Sequence, residues 1–240
     1  MVLQSVHMKT FFALAFSAVL LFAAGAAAQT AVVVHDPTKV SPAAKLTPAE
    51  QAVFNKALPA VRKKISEEAC SESVDVSGVV QGSFTAAGAK QTLVFYQYCQ
   101  TGNGFGFAGL VLIENGRVIG NFFADTGWTM EIVRVADLNG NGLDEFTLAY
   151  SGGMHQGHGG VGVDLMEFAD GTPKGIGWYK SEEFDDTQAS SAWKLTAKPG
   201  PVPVFYRQKF TSRDGNKWRA VGAATVFKLG KAISNFEAVK

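Results

Sequence analysis

Two stretches of this chain follow the same plan about 54 residues apart. In the first, residues 83–91 lead into an apolar run at 92–98, and in the second, residues 137–145 lead into a run at 146–150 in the same register. Each run is expected to lead into a glycine-rich loop, 101–106 or 151–160, and then into a second apolar run, 107–113 or 161–168. A turn follows, Asn115-Gly116 or Asp170-Gly171, and then a third run, 118–123 or 176–179. Asn-Gly and Asp-Gly between apolar runs are strong hairpin signals, because both central positions favour positive φ. A fixed period of this size specifies blades or stacked sheet units. The expectation is a mainly β protein with two blade-like antiparallel meander units, 74–123 and 131–179. Two units are too few to close a propeller, so the sheets must stack openly with their edges covered. Strands of a terminal meander are expected within 204–236, with 180–203 as a polar connection.

One helix precedes the repeats, within residues 47–69. Thr47-Pro48-Ala49-Glu50 supplies a capping hydroxyl, a proline at the first helical position and a glutamate three residues after the cap. Val53, Phe54, Leu58, Val61 and Ile65 follow at helical spacing, and Pro59 should kink or split the helix. Residues 29–46 show no periodicity and read as a flexible N-terminus. Residues 1–28 read as an export signal: Met8-Lys9, an apolar core at 11–24, and Ala26-Ala27-Ala28 as a cleavage site. Residues 47–240 then form a single β-rich domain, secreted or periplasmic, with no stable membrane insertion once the signal is removed. The two cysteines, Cys70 and Cys99, are expected to pair in such a compartment. That bond ties the helix to a strand and stabilises the fold by about 3–4 kcal/mol. With 22 Lys and Arg against 21 Asp and Glu, the balance is near neutral and predicts no nucleic-acid partner.

The densest chemistry lies in Asp137-Leu138-Asn139-Gly140-Asn141-Gly142-Leu143-Asp144-Glu145. Oxygen-bearing side chains stand at the first, third and fifth positions, and a glycine takes the sharp bend at the sixth. Leu143 offers its backbone carbonyl, and Glu145 closes the set from the ninth position. Calcium favours such hard oxygen donors. Asp144 joins the set if the following strand begins one residue early. A metal-free Asx turn is the alternative for the same residues. An EF-hand would need a bidentate glutamate at the twelfth position, where this chain has Leu148.

This loop and the apolar strand after it resemble the calcium loops of FG-GAP and VCBS repeats, found in integrin α propellers and many secreted bacterial proteins. The resemblance covers 131–150, with 79–98 as a degenerate copy. It implies a four-stranded antiparallel blade with calcium beside its first strand. The family usually places aspartate at the positions held here by Asn141 and Glu145. Fewer anionic ligands imply weak, structural binding, on the order of 10⁻⁴–10⁻³ M. Ser83, Thr85, Ala87 and Gln91 at the equivalent places of the first copy cannot hold calcium, so its hydroxyls are expected to close the turn.

Other motifs are weaker. His155 and His158, beside Met154, form a candidate ligand loop for copper or zinc, without an evident third ligand. Gly157 to Gly162 matches a dinucleotide fingerprint as a string but runs on into a strand. Asp125-Thr126-Gly127 is a lone aspartic-protease-like triplet, where two carboxylates are required. Tyr96, Tyr98, Phe105, Phe107, Trp178 and Tyr179 are candidates for a carbohydrate face or for cross-strand packing. The function expected is a non-enzymatic binding or structural module with a protein or glycan ligand. One rival is a hydrolase around His155, His158 and Asp164, and the other is a transition-metal binder using the same histidines.

Overall fold

A computed structural model describes residues 30–39, 44–65, 70, 74–102, 104–185, 190–215 and 217–239. The expected export signal lies outside these residues. The elements in order are β1 (Val32–His35), α1 (Pro48–Lys64), β2 (Asp75–Gly82), β3 (Gln91–Gly102), β4 (Phe105–Glu114), β5 (Arg117–Thr126), β6 (Trp128–Val135), β7 (Glu145–His155), β8 (His158–Ala169), β9 (Thr172–Asp185), β10 (Ser190–Lys198), β11 (Val204–Ser212), β12 (Arg219–Phe227) and β13 (Glu237–Ala238).

The repeat is real in three dimensions. β2–β5 form one antiparallel four-stranded meander and β6–β9 form another, each strand offset from its counterpart by about 54 residues. The turns behave as the sequence demands, with Asn115 and Asp170 at φ 50° and 52° and a positive-φ glycine after each. The first meander ends in a five-stranded sheet, because β13 pairs along the free edge of β5. The second grows into an eight-stranded sheet by adding β10, β11 and β12, with β1 alongside β10.

The two sheets pack face to face. Phe84, Leu93, Phe95, Leu110 and Phe122 meet Ile132, Phe146, Leu148, Met166 and Phe168 in a fully apolar layer. Alternation along each strand requires this, since residues two apart share a face. Phe146, for example, lies 5.6 Å from the Phe168 ring centroid and 5.9 Å from that of Phe84. The first strands of the two repeats cross at Gly78, where a Cβ would come within 2.8 Å of Ile132. Only glycine permits that approach.

The helix covers the outer face of the five-stranded sheet rather than an edge. Phe54, Ala57, Leu58 and Val61 pack on Val94, Tyr96, Val111 and Ile113. Its capping box forms as expected: the Thr47 hydroxyl accepts from the Glu50 amide, and the Glu50 carboxylate accepts from the Thr47 amide. Pro59 neither splits nor ends this helix. It sits on the exposed side, as does Asn55 one turn earlier, so water can satisfy the carbonyl that the missing N–H leaves free. The Cys70–Cys99 disulfide forms, with Cα atoms 5.1 Å apart, and ties the segment after the helix to β3.

Three expectations about connections need correction. The N-terminal stretch read as flexible contains β1, whose Val34 and His35 are buried. His35 is wedged between the Tyr179 hydroxyl at 2.6 Å and the Glu131 carboxylate at 2.8 Å, closing the curled eight-stranded sheet from β9 across to β6. The polar connection at 180–203 instead holds the end of β9 and all of β10, whose small residues Ala192 and Ala197 flank buried Leu195. The glycine-rich segments 101–106 and 151–160 are mostly strand, not loop.

Candidate functional site

The loop before β7 folds around Asp137. Its Oδ1 accepts from the Gly140 amide at 2.7 Å and its Oδ2 from the Gly142 amide at 2.8 Å. Asn139 Oδ1 accepts from the Asn141 amide, and Asn141 Oδ1 from the Leu143 amide. Gly140 and Gly142 take φ near 80°, which provides the sharp bend. The loop is thus a chain of Asx turns; Asp137 Oδ1 also accepts from the Asn141 amide at 3.2 Å, while the other three oxygens each accept one N–H and keep one lone pair. Asp144 is not part of a ligand set. Its two oxygens take Arg134 at 2.8 Å and the Ser83 amide at 2.7 Å, locking the second loop to the first. β7 begins at Glu145, not one residue earlier.

The two copies differ in a charged group at Glu145. Its counterpart Gln91 closes the first loop without a metal: Oε1 accepts from the Phe84 and Thr85 amides, and Nε2 donates to Thr85 and Glu114. The first turn is thus closed chiefly by an amide, with the Ser83 hydroxyl assisting by donating to the Ala89 carbonyl. In the second copy, Glu145 Oε2 likewise accepts from the Leu138 amide at 2.8 Å. Gln91 stands opposite Glu114 across β3 and β4. Continuing the β7–β8 register by one residue from Phe146–Met166 puts Glu145 opposite Glu167. There the amide donor has become a second carboxylate. Glu145 is 1% exposed, and its Oε1 has no hydrogen-bond partner. Burial, with help from the charges of Asp137 and Glu167, pushes its carboxyl up to about 7 despite the Leu138 amide.

A cation is the group that such an arrangement fits: a buried carboxylate oxygen without a donor, beside two further acids. Among the described residues no three of His, Cys, Asp and Glu make a metal cage by themselves. An ion here would therefore draw on the Asn139 and Asn141 oxygens and the Leu143 carbonyl as well as on Asp137 and Glu145. Asn139 has a second task, donating to Glu167 at 3.1 Å.

The structure separates the two histidines from Asp164, and His158 instead lines a cavity of about 840 Å³ with Glu183 and Asp185. His155 and His158 face each other at the tip of the β7–β8 hairpin, across a Gln156-Gly157 turn with φ 51° and 82°. Both are exposed, and the His155 ring bonds the Gly152 carbonyl at 2.8 Å. Asp164 lies six residues down β8, roughly 20 Å away at strand rise. It is fully buried and accepts from the Ile233 and Ser234 amides at 2.9 and 2.8 Å. That carboxylate anchors the C-terminal segment.

The six aromatic residues divide. Tyr96 and Tyr98 pack beneath the helix, and Tyr179 belongs to the interior of the curled sheet. Phe105, Phe107 and Trp178, however, line one cleft of about 810 Å³ between the two sheets. Its walls are the glycine-rich segments of both repeats, the Asp125–Gly127 corner, and Ile233 with Ser234. Trp178 lies over Gly162, where a Cβ would come within 2.6 Å of the indole nitrogen. Phe105 is 68% exposed at the mouth, and the ionisable residues of the lining are Asp125, the buried Asp164 and Lys180. The Tyr150 hydroxyl is buried in the wall near Ser234 without a well-formed hydrogen bond, and burial drives its pKa far up. Strand periodicity does not reveal this cleft, because it arises where equivalent glycine-rich strand ends from two repeats meet. The glycines repeated at one position in both copies were the available signal.

The chain matches no protein-family model, no curated protein and no solved structure. Its fold is therefore described in its own terms: mainly β, two antiparallel sheets and one helix near the N-terminus. The disulfide fits an oxidising compartment. No helix among the described residues is long and apolar enough to cross a membrane.

Proposed function

We propose that this chain is an exported, non-enzymatic binding module of the periplasm or extracellular space, stapled by calcium at residues 137–145. The reading rests on the unpartnered Glu145 oxygen, at the position where the metal-free sister loop carries an amide. Asp137, Asn139, Asn141, the Leu143 carbonyl and Glu145 are the proposed donors, as in the FG-GAP and VCBS loops that the sequence resembles. Calcium would supply positive charge to three neighbouring carboxylates, and its role is structural. Thermal unfolding in chelator and then at ten times the dissociation constant tests this. Binding at that level contributes about 1.4 kcal/mol, a rise of about 3–5 °C for a domain of this size. A rise under about 1 °C in millimolar calcium removes the staple from the reading.

The ligand seat is the inter-sheet cleft, and the ligand class is a neutral glycan. Aromatic faces held open by glycines suit the apolar face of a sugar ring, while Asp125 and Lys180 suit its hydroxyls. Titration of saccharides against intrinsic fluorescence should give saturable quenching that Trp178→Ala and Phe105→Ala abolish. Absence of quenching across a broad saccharide panel would eliminate this ligand class.

A further inference from the structure

Near-neutral overall charge conceals a segregated one. Residues 190–231 carry nine Lys and Arg and a single acidic residue, Asp214. The remainder of the chain is consequently acidic. The basic residues sit on the meander β10–β12, at the far end of the eight-stranded sheet from β6. Three make contacts within the fold: Lys194 pairs with Asp36 at 3.0 Å, Arg207 lies 4.3 Å over the Phe227 ring, and the Lys209 ammonium lies 5.5 Å over the Trp193 ring. Lys198, Lys209, Arg213, Lys217, Arg219, Lys228 and Lys231 are exposed. None of these seven forms an ion pair with a carboxylate among the described residues.

The same meander exposes apolar side chains. Val202 is 83% exposed, Val226 71%, Val221 48% and Val204 40%. β12 is an edge strand, solvent-exposed on both faces up to Phe227, with no charge between Arg219 and Lys228. Cross-strand register gathers Lys198, Val204, Tyr206 and Val226 on one face, while Val221 stands opposite Lys209 on the other. Lys198 stands opposite Val204, and Tyr206 stands opposite Val226. Val204 and Tyr206 are two apart on β11 and so share that face. Val202 and Lys228 lie just beyond the ends of β11 and β12, and both are exposed.

We propose that this face adsorbs to an anionic lipid surface, with the valines and Tyr206 entering the headgroup region and the lysines meeting lipid charge. Charge complementarity selects an acidic partner, and the exposed valines select a bilayer over a soluble polyanion. A phosphodiester backbone offers apolar side chains nothing, whereas an interface rewards both components together. The contact proposed is peripheral, made by one face of the meander.

The test uses protein lacking residues 1–28, since every element described lies beyond them. Co-sedimentation with vesicles of phosphatidylglycerol and phosphatidylcholine is compared with phosphatidylcholine alone, at low and high salt. Binding is expected only with the anionic lipid and should vanish at high salt. Lys198→Gln with Lys228→Gln should weaken partition about 25-fold, at about fivefold per charge. Val204→Ser with Val226→Ser should weaken it without altering the salt slope. All four positions are exposed, and unchanged thermal midpoints verify that the fold is kept. No partition, or equal partition on neutral vesicles, overturns the proposal. So does salt-sensitive binding to a single-stranded oligonucleotide that the valine variant retains in full, since that identifies a polyanion site.

Discussion

Replacing Glu145 with glutamine should stabilise the metal-free protein, although it alters the central residue of the proposed metal loop. The folded-state carboxyl titrates near 7 against an ordinary 4.5. Between those values the native protein holds more protons than the unfolded chain, so stability falls as pH rises through this window. The loss is complete above about pH 7 and amounts to about 3 kcal/mol. Glutamine cannot ionise, and Gln91 gives its expected geometry: oxygen to the loop amides, nitrogen to the opposing glutamate. Urea denaturation in chelator at pH 5 and pH 8 measures the effect. Wild type should lose about 2.5 kcal/mol over that interval from this group, and Glu145→Gln should not. At pH 8 the variant should be the more stable protein, while calcium should raise wild type alone. Equal pH dependence in the two proteins, or a variant less stable at pH 8 in chelator, would refute the reasoning.

The converse change, Gln91→Glu, should cost about 2–3 kcal/mol at pH 8, because it places a second carboxylate against Glu114 without loop aspartates to attract calcium; denaturation midpoints with and without calcium check both halves. Asp164→Ala should cost about 2–4 kcal/mol by leaving the Ile233 and Ser234 amides unbonded, and hydrogen exchange should accelerate at those two amides first. Replacing Cys70 and Cys99 with serine should cost about 3–4 kcal/mol, read as a lower urea midpoint matched by reduced wild type.

Much of the fold was legible because its signals are local. Asn115-Gly116 and Asp170-Gly171 announce their hairpins through φ preference, and Thr47 to Glu50 announces the helix through its own side chains. The offset between copies disclosed the paired meanders. What escaped depended on distant partners. β1 is only four residues long, and nothing near Val32 signals that His35 will bond Glu131 and Tyr179. β10 looks polar because its buried positions are mostly alanines, whose role appears only once neighbouring strands surround them. Asp144 could not be separated from Glu145 by sequence, since the distinction lies in Arg134 on β6 and Ser83 on the facing loop. The charge of the last meander was legible, but only when summed locally instead of over the whole chain.

Asp164 grips residues 233 and 234, Phe236 enters the layer between the sheets, and β13 completes the five-stranded edge. A polypeptide emerging amino end first can therefore build both meanders and still lack the piece that seals them together. Final consolidation of the two sheets must wait for residues 233–238, the last part of the described fold to be made.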